Sequence, residues 1–322
     1  MEKRMVVEYG FVGGFEIPHY FYSFGLPPKL IDCKNKPQMK PSSILAIASM
    51  IASTASLQGA LVIYEPFTDP ETTLNGNTAG TTPDGLSGNW AATGTHNVTA
   101  GSLAWGSLAT SGNKAVSGSG TSASAAITAG ALTTPGLLND GATLWFSLIY
   151  RTAPTVSGNP DAGFALATDA MGSGNNVPIG ALGSGIGFTI KSGVMSASTW
   201  VGGAVGRATT TVASEPVAGS TTYFIVGEMI WGADGAAVDT INLYRPNTSL
   251  VLGSVLATRS VVLNQSAFDT LTFANKGDVG AFPITVDEIR FGDSYASVSP
   301  VPEPAAALLG AIGSLILLRR RR

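Results

Sequence analysis

Between Leu61 and Phe291, short apolar runs recur between clusters of Gly, Ser, Thr, Asn and Pro. The runs Leu61–Tyr64, Ala142–Arg151, Gly185–Lys191, Thr222–Trp231, Val238–Arg245, Ser260–Leu263, Leu271–Ala274 and Ile284–Phe291 are too short for typical helices and carry β-branched and aromatic residues. Each predicts a strand. In Thr143–Tyr150, Leu144, Phe146, Leu148 and Tyr150 alternate onto one face, while Trp145 and Ile149 fall on the other. Two apolar faces predict a strand inside a two-sheet sandwich. Ala91–Ala131 is rich in small polar residues, but Leu103, Trp105, Leu108 and Val116 anchor it as weak strands rather than a linker. No strand alternates with a ten-residue helical pattern, which argues against a βαβ fold. The expected core is all-β and spans residues 61–299.

Both ends depart from this pattern. Lys40, then the apolar run Ile44–Ala52, then Ser53-Thr54-Ala55 follow the order of a secretory signal peptide, predicting a signal segment at 39–60 that begins at Met39. Cleavage after Ala55 puts Ser53 and Ala55 at the small-residue positions; cleavage after Ala60 would start the chain at Leu61. Residues 1–38 are loosely patterned and read as disordered sequence upstream of the true start, or as a long leader region without function of its own. At the other end, Val301-Pro302-Glu303-Pro304, the apolar run Ala305–Leu318 and Arg319-Arg320-Arg321-Arg322 fill the segment 300–322. The fourteen residues of that run reach about 21 Å as a helix, short of a hydrocarbon core of roughly 30 Å. Four arginines would hold its end on the cytoplasmic side.

Motif, apolar helix and arginine cluster together resemble the PEP-CTERM sorting signal of Gram-negative bacteria. The resemblance implies export, a membrane anchor before processing, an exosortase-type protease as partner, and a final place in the envelope, outer surface or extracellular matrix. A second resemblance rests on Leu61-Val62-Ile63-Tyr64-Glu65-Pro66-Phe67, Leu144–Arg151 and Val286-Asp287-Glu288-Ile289-Arg290-Phe291-Gly292. These stretches are similar to the concanavalin A-like (laminin-G-like) jelly roll, whose first and last strands pair. That likeness implies a structural Ca²⁺ site formed by Asp287 with the carbonyls of Pro66 and Gly101; oxygen-only ligation suits calcium.

Chemistry is sparse. Residues 61–299 hold eight Lys/Arg and sixteen Asp/Glu, a balance of 8 − 16 = −8, which disfavours nucleic acid as a partner. Cys33 lies outside this region, so it contains no thiolate site. Retaining glycosidases need two carboxylates about 5–5.5 Å apart. No Glu-x-Asp-x-Glu run supplies them: Glu228 has no acidic neighbour two or four positions away, and the adjacent Asp287 and Glu288 should point to opposite faces. His96, in the polar stretch Gly94-Thr95-His96-Asn97, is the one histidine of the region. Trp90, Trp105, Trp145, Trp200 and Trp231 are candidates for a sugar platform; Trp145 and Trp231 read as core, and Trp200 as the most exposed. The expected protein is non-catalytic and structural, adhesive or polysaccharide-associated, with a lectin or glycan hydrolase as the alternative.

Replacing Arg319–Arg322 with serine is expected to abolish the C-terminal cleavage product while leaving export intact. Normal cleavage of the variant by mass spectrometry would refute the sorting reading.

Overall fold

The computed structural model describes residues 6–12, 15–21, 59–80, 85–152, 161–180, 182–191, 193–207, 215–216, 218–276 and 284–300. The signal run Ile44–Ala52 and the tail 301–322, with Pro302, Glu303, Pro304 and Arg319–Arg322, lie outside these residues. Among the described residues no helix is long and apolar enough to cross a membrane.

The chain divides into two compact units, Met1–Leu57 and Gln58–Arg322. In the first, β1 (Val6–Val12) and β2 (Phe15–Phe21) pair antiparallel from Val6↔Phe21 to Val12↔Phe15. Both strands carry aromatic and β-branched residues, and Gly13-Gly14 between them in sequence is a two-residue hairpin signal.

The second unit is built from β3 (Leu61–Glu65), β4 (Leu86–Thr93), β5 (His96–Thr99), β6 (Lys114–Ser117), β7 (Thr121–Ile127), β8 (Thr143–Arg151) and β9 (Asp161–Ala167). It continues with β10 (Gly185–Lys191), β11 (Val194–Val201), β12 (Ala204–Arg207), β13 (Glu215–Pro216), β14 (Thr222–Ile230) and β15 (Asp239–Tyr244). β16 (Ala257–Val261), β17 (Thr270–Asn275), β18 (Ile284–Gly292) and the one-turn helix α1 (Tyr295–Val298) complete it. One sheet runs β12-β11-β10-β9-β17-β7-β4, with β13 also on β11; the other runs β16-β15-β14-β8-β18-β6-β5, with β3 also on β18. Every strand pair is antiparallel. The fold is an all-β sandwich, and its first and last strands pair from Ile289↔Glu65 to Gly292↔Leu61.

The two inner faces share one core. Leu144, Phe146, Leu148 and Tyr150 enter it from β8, as their alternation requires, and meet Phe164 and Leu166 of β9 and Phe188 of β10. Phe146 lies 5.4 Å from Phe164, 6.4 Å from Phe188 and 5.8 Å from Phe291, ring centre to ring centre, within the range of favourable aromatic packing. Two smaller clusters cover the outer faces. Leu103, Leu108, Leu250 and Val298, from loops and α1, pack on Ile149, Phe224 and Val226 of one sheet. Met171, Val177 and Ile179, from the β9–β10 connection, pack on Ala165, Ala167, Trp200 and Ala274 of the other. Within 91–131, Val116 is in β6, whereas Leu103, Trp105 and Leu108 anchor a loop between β5 and β6 rather than strands.

Gly227 stands opposite Phe146 across β14 and β8, and a Cβ there would sit 1.8 Å from the Phe146 ring. Gly227→Ala should therefore cost roughly 1–3 kcal/mol through overpacking, lowering the melting temperature by roughly 2–4 °C per kcal/mol. An unchanged calorimetric midpoint would contradict this packing.

Candidate functional site

Asp287 and Glu288 occupy a bulge in β18, where the register against β8 shifts between Asp287 and Arg290. Glu288 has φ +55°, a conformation that costs a non-glycine residue of order 1–3 kcal/mol. The bulge overrides strand alternation and brings the two carboxylates together: the Ser102 hydroxyl donates to Asp287 at 2.7 Å and to Glu288 at 3.2 Å. The expectation of opposite faces is thus corrected. Asp287 also accepts the N–H groups of Leu103 at 2.5 Å and Glu288 at 2.8 Å. Glu288 accepts from the Tyr64 hydroxyl at 2.8 Å, from Ser111 N–H and from Arg290. Arg290 in turn donates to the Ala109 carbonyl at 2.6 Å and lies 4.9 Å over the Tyr64 ring. All three charged side chains are buried.

This donor set does not fit the calcium site that the sequence resemblance implied. Each Asp287 oxygen is taken by protein donors. The Pro66 carbonyl accepts Asn113 N–H at 3.1 Å, and the Gly101 carbonyl accepts the Lys114 ammonium at 2.6 Å. Lys114 also reaches the Ala100 carbonyl at 2.5 Å, so a protein cation holds the turn where a metal was expected. Among the described residues no group of three or more His, Cys, Asp or Glu could hold a metal.

The tryptophans separate by what their indole N–H groups do. Trp90 donates to Glu65 at 2.9 Å, Trp105 to the Asn247 carbonyl at 3.3 Å and Trp231 to the Leu137 carbonyl at 2.6 Å. Trp200, expected to be the exposed one, is fully buried and donates to the Val177 carbonyl at 3.0 Å. The β9–β10 connection covers it, which leaves no face for a sugar, and the platform assignment to Trp200 is wrong. Trp145 differs from all of these. It is half-buried on the outer face of β8, and its N–H has no hydrogen-bond partner among the described residues. Its ring stacks on Tyr244 (6.0 Å between centres, 24° between planes) and lies 6.0 Å from Tyr295.

Register sets Trp145 opposite Glu228, Glu228 opposite Asn242, and Asn242 opposite Thr258. One row across β8, β14, β15 and β16 therefore presents indole, carboxylate, amide and hydroxyl, all half-exposed. The next row holds Thr143, Ile230, Thr240 and Ser260. Glu228 is held in place: its Oε2 accepts the Asn242 amide at 3.0 Å and the Tyr244 hydroxyl at 2.8 Å. The row sets an aromatic side chain beside fixed hydrogen-bonding groups. Sequence reading missed this row because it needs four strands in register, although the Trp145 face of β8 was visible in the alternation.

A second concavity of about 650 Å³ lies at a loop end, lined by Leu138, Asn139, Asp140, Gly235, Leu263, Asn264, Gln265 and Ser266. There the Gln265 amide donates to Asp140 at 2.7 Å. His96, expected in a polar loop, is instead buried at the start of β5, bonded to the Ser117 hydroxyl at 2.7 Å and edge-on to Phe273.

No family model matches the chain, and no curated protein matches it. Among solved structures it is similar to a protein of unknown function from Shewanella oneidensis MR-1, at 14% identity over 82% of this chain and 98% of that one, with a TM-score of 0.43. It is similar to the CBM2 module of the evolved Dit protein of Lactobacillus casei BL23 phage J-1, at 15% identity over 73% and 96%, TM-score 0.38. A third is the endo-β-1,4-glucuronan lyase of the fungus Trichoderma reesei, at 10% identity over 75% and 99%, TM-score 0.39. Likenesses this distant assign neither ligand nor activity.

Two buried groups set opposite pH dependences. Burial, reinforced by the Glu288 carboxylate, pushes Asp287 up to about 7 against the donation of Ser102 and Leu103. Protonation of the folded state then adds stability as pH falls from about 7 towards 4. Burial pulls His96 down to about 4, so the unfolded chain alone gains that proton below 6.5 and stability is lost over the same fall. Asp287→Asn removes the opposing contribution. Its denaturation midpoint should fall more steeply than wild type between pH 7 and 4.5; parallel curves would exclude the raised Asp287.

Proposed function

We propose that the protein is an exported, non-catalytic polysaccharide-binding sandwich of the concanavalin A-like jelly-roll type, acting in the envelope or extracellular matrix of a Gram-negative-type bacterium. The observation that carries the binding reading is Trp145, the tryptophan with an unbonded N–H, beside fixed Glu228 and Asn242 on an open sheet face. Export rests on the signal-like segment 39–60 and on Pro302-Glu303-Pro304, the apolar run and Arg319–Arg322, with an exosortase-type protease as processing partner. Described contacts run to Pro300, whose carbonyl accepts Ala109 N–H at 3.1 Å, so the sorting motif follows directly on the folded unit in sequence. The non-catalytic reading is supported by carboxylate placement. Glu228 is the one carboxylate in its row, while Asp287 and Glu288 are buried and fully engaged by protein donors.

On a glycan array the purified protein should bind polysaccharide fragments, and Trp145→Ala should weaken binding about tenfold or more, ~1.4 kcal/mol, at a temperature where the variant is still folded. Binding untouched by the substitution would remove the site. Release of reducing sugar that disappears in Glu228→Gln would make the protein a hydrolase.

A further inference from the structure

We propose that the ligand of the Trp145–Glu228 row carries a free ammonium group: a polymer of amino sugars, taken in preference to neutral or uronate glycans. This deepens the glycan-binding reading of that face and rests on it. Glu228 and Trp145 are direct cross-strand partners, so a sugar lying against the indole meets the carboxylate at the next position. Both groups that fix Glu228, the Asn242 amide and the Tyr244 hydroxyl, are neutral and donate to the same oxygen, Oε2. Among the described residues no Lys, Arg or His lies within ion-pair distance of it, and Oε1 has no protein donor. Thr258 in the same row and Thr143, Ile230, Thr240 and Ser260 in the next are all uncharged.

The carboxylate and amide of the row supply acceptors, alongside the Trp145 N–H as a donor. Neither Glu228 Oε1 nor the Asn242 side-chain carbonyl has a hydrogen-bond donor among the described residues. An ammonium has three donors and no acceptor, which matches this pair. A uronate would instead bring like charge to Glu228, on a domain already carrying −8 from its eight Lys/Arg and sixteen Asp/Glu. The carboxylate thus acts as a specificity element, and Trp145 as the general platform.

The test uses the full chain and four probes of equal length: glucosamine, N-acetylglucosamine, cello- and uronate oligosaccharides, titrated calorimetrically at low and high salt. The free-amine oligomer should bind about tenfold more tightly than its acetylated form, with the margin shrinking as salt rises. Glu228→Gln, which keeps an acceptor for Asn242 and Tyr244, should erase the preference while neutral oligomers bind as before. Trp145→Ala should weaken all of them. Equal wild-type affinity for amine and acetylated oligomers, or a preference that survives Glu228→Gln, overturns the amino-sugar inference alone. Failure of all four probes to bind overturns the glycan reading with it.

Discussion

The buried carboxylates of the β18 bulge are the constraint on which the architecture turns. β18 pairs with β6 through Ile284–Val286 and with β3 through Ile289–Gly292, while β8 is its further neighbour. Asp287 and Glu288 lie at the changeover, between the ladder to β6 and the ladder to β3. The carboxylates accept the N–H groups of Leu103 and Ser111 there, from the loop between β5 and β6. Arg290 neutralises part of the charge and reaches the Ala109 carbonyl of the same loop. Removing one member would leave a buried charge uncompensated, which costs far more than the intact cluster contributes. The cluster's role is therefore specification: it fixes the loop that carries Leu103 and Leu108 onto the outer face.

That loop prepares the candidate site. Leu103 and Leu108 pack over one half of the sheet with Leu250 and Val298, while Tyr295 bonds the Leu250 carbonyl at 2.6 Å and borders Trp145. The row from Trp145 to Thr258 is left half-exposed beside the next row, where Thr143, Ile230, Thr240 and Ser260 are half-exposed or exposed. Its groups stand on strands held by a shared ladder, and Glu228 is tied by two side chains, so little ordering remains for a ligand to impose. The opposite sheet offers no counterpart at Trp200, because the β9–β10 connection lies across it.

The charge arrangement explains why carboxylates alone are a poor guide to chemistry here. Asp287 and Glu288 converge on the Ser102 hydroxyl, yet both accept from protein donors. Glu228 stands alone but keeps an oxygen for solvent or ligand. Lys114, gripping two carbonyls, takes the role a bound cation would have had.

Period-two alternation determined the all-β class and the positions of β3, β8, β10, β14, β15, β17 and β18, because each has large apolar residues bounded by turn signals. The two faces of β8 were legible to the residue. β9 (Asp-Ala-Gly-Phe-Ala-Leu-Ala) and β11 (Val-Met-Ser-Ala-Ser-Thr-Trp-Val) were not: small residues buried on both faces carry no alternation to read. Only the tertiary structure decided the site. Whether a tryptophan is platform or core depends on what loop lies over it, which exchanged the roles of Trp145 and Trp200. Whether adjacent carboxylates diverge depends on a bulge, and Glu288 at φ +55° breaks the rule that alternation states. Both are settled by contacts between residues far apart in the chain, where local pattern holds no information.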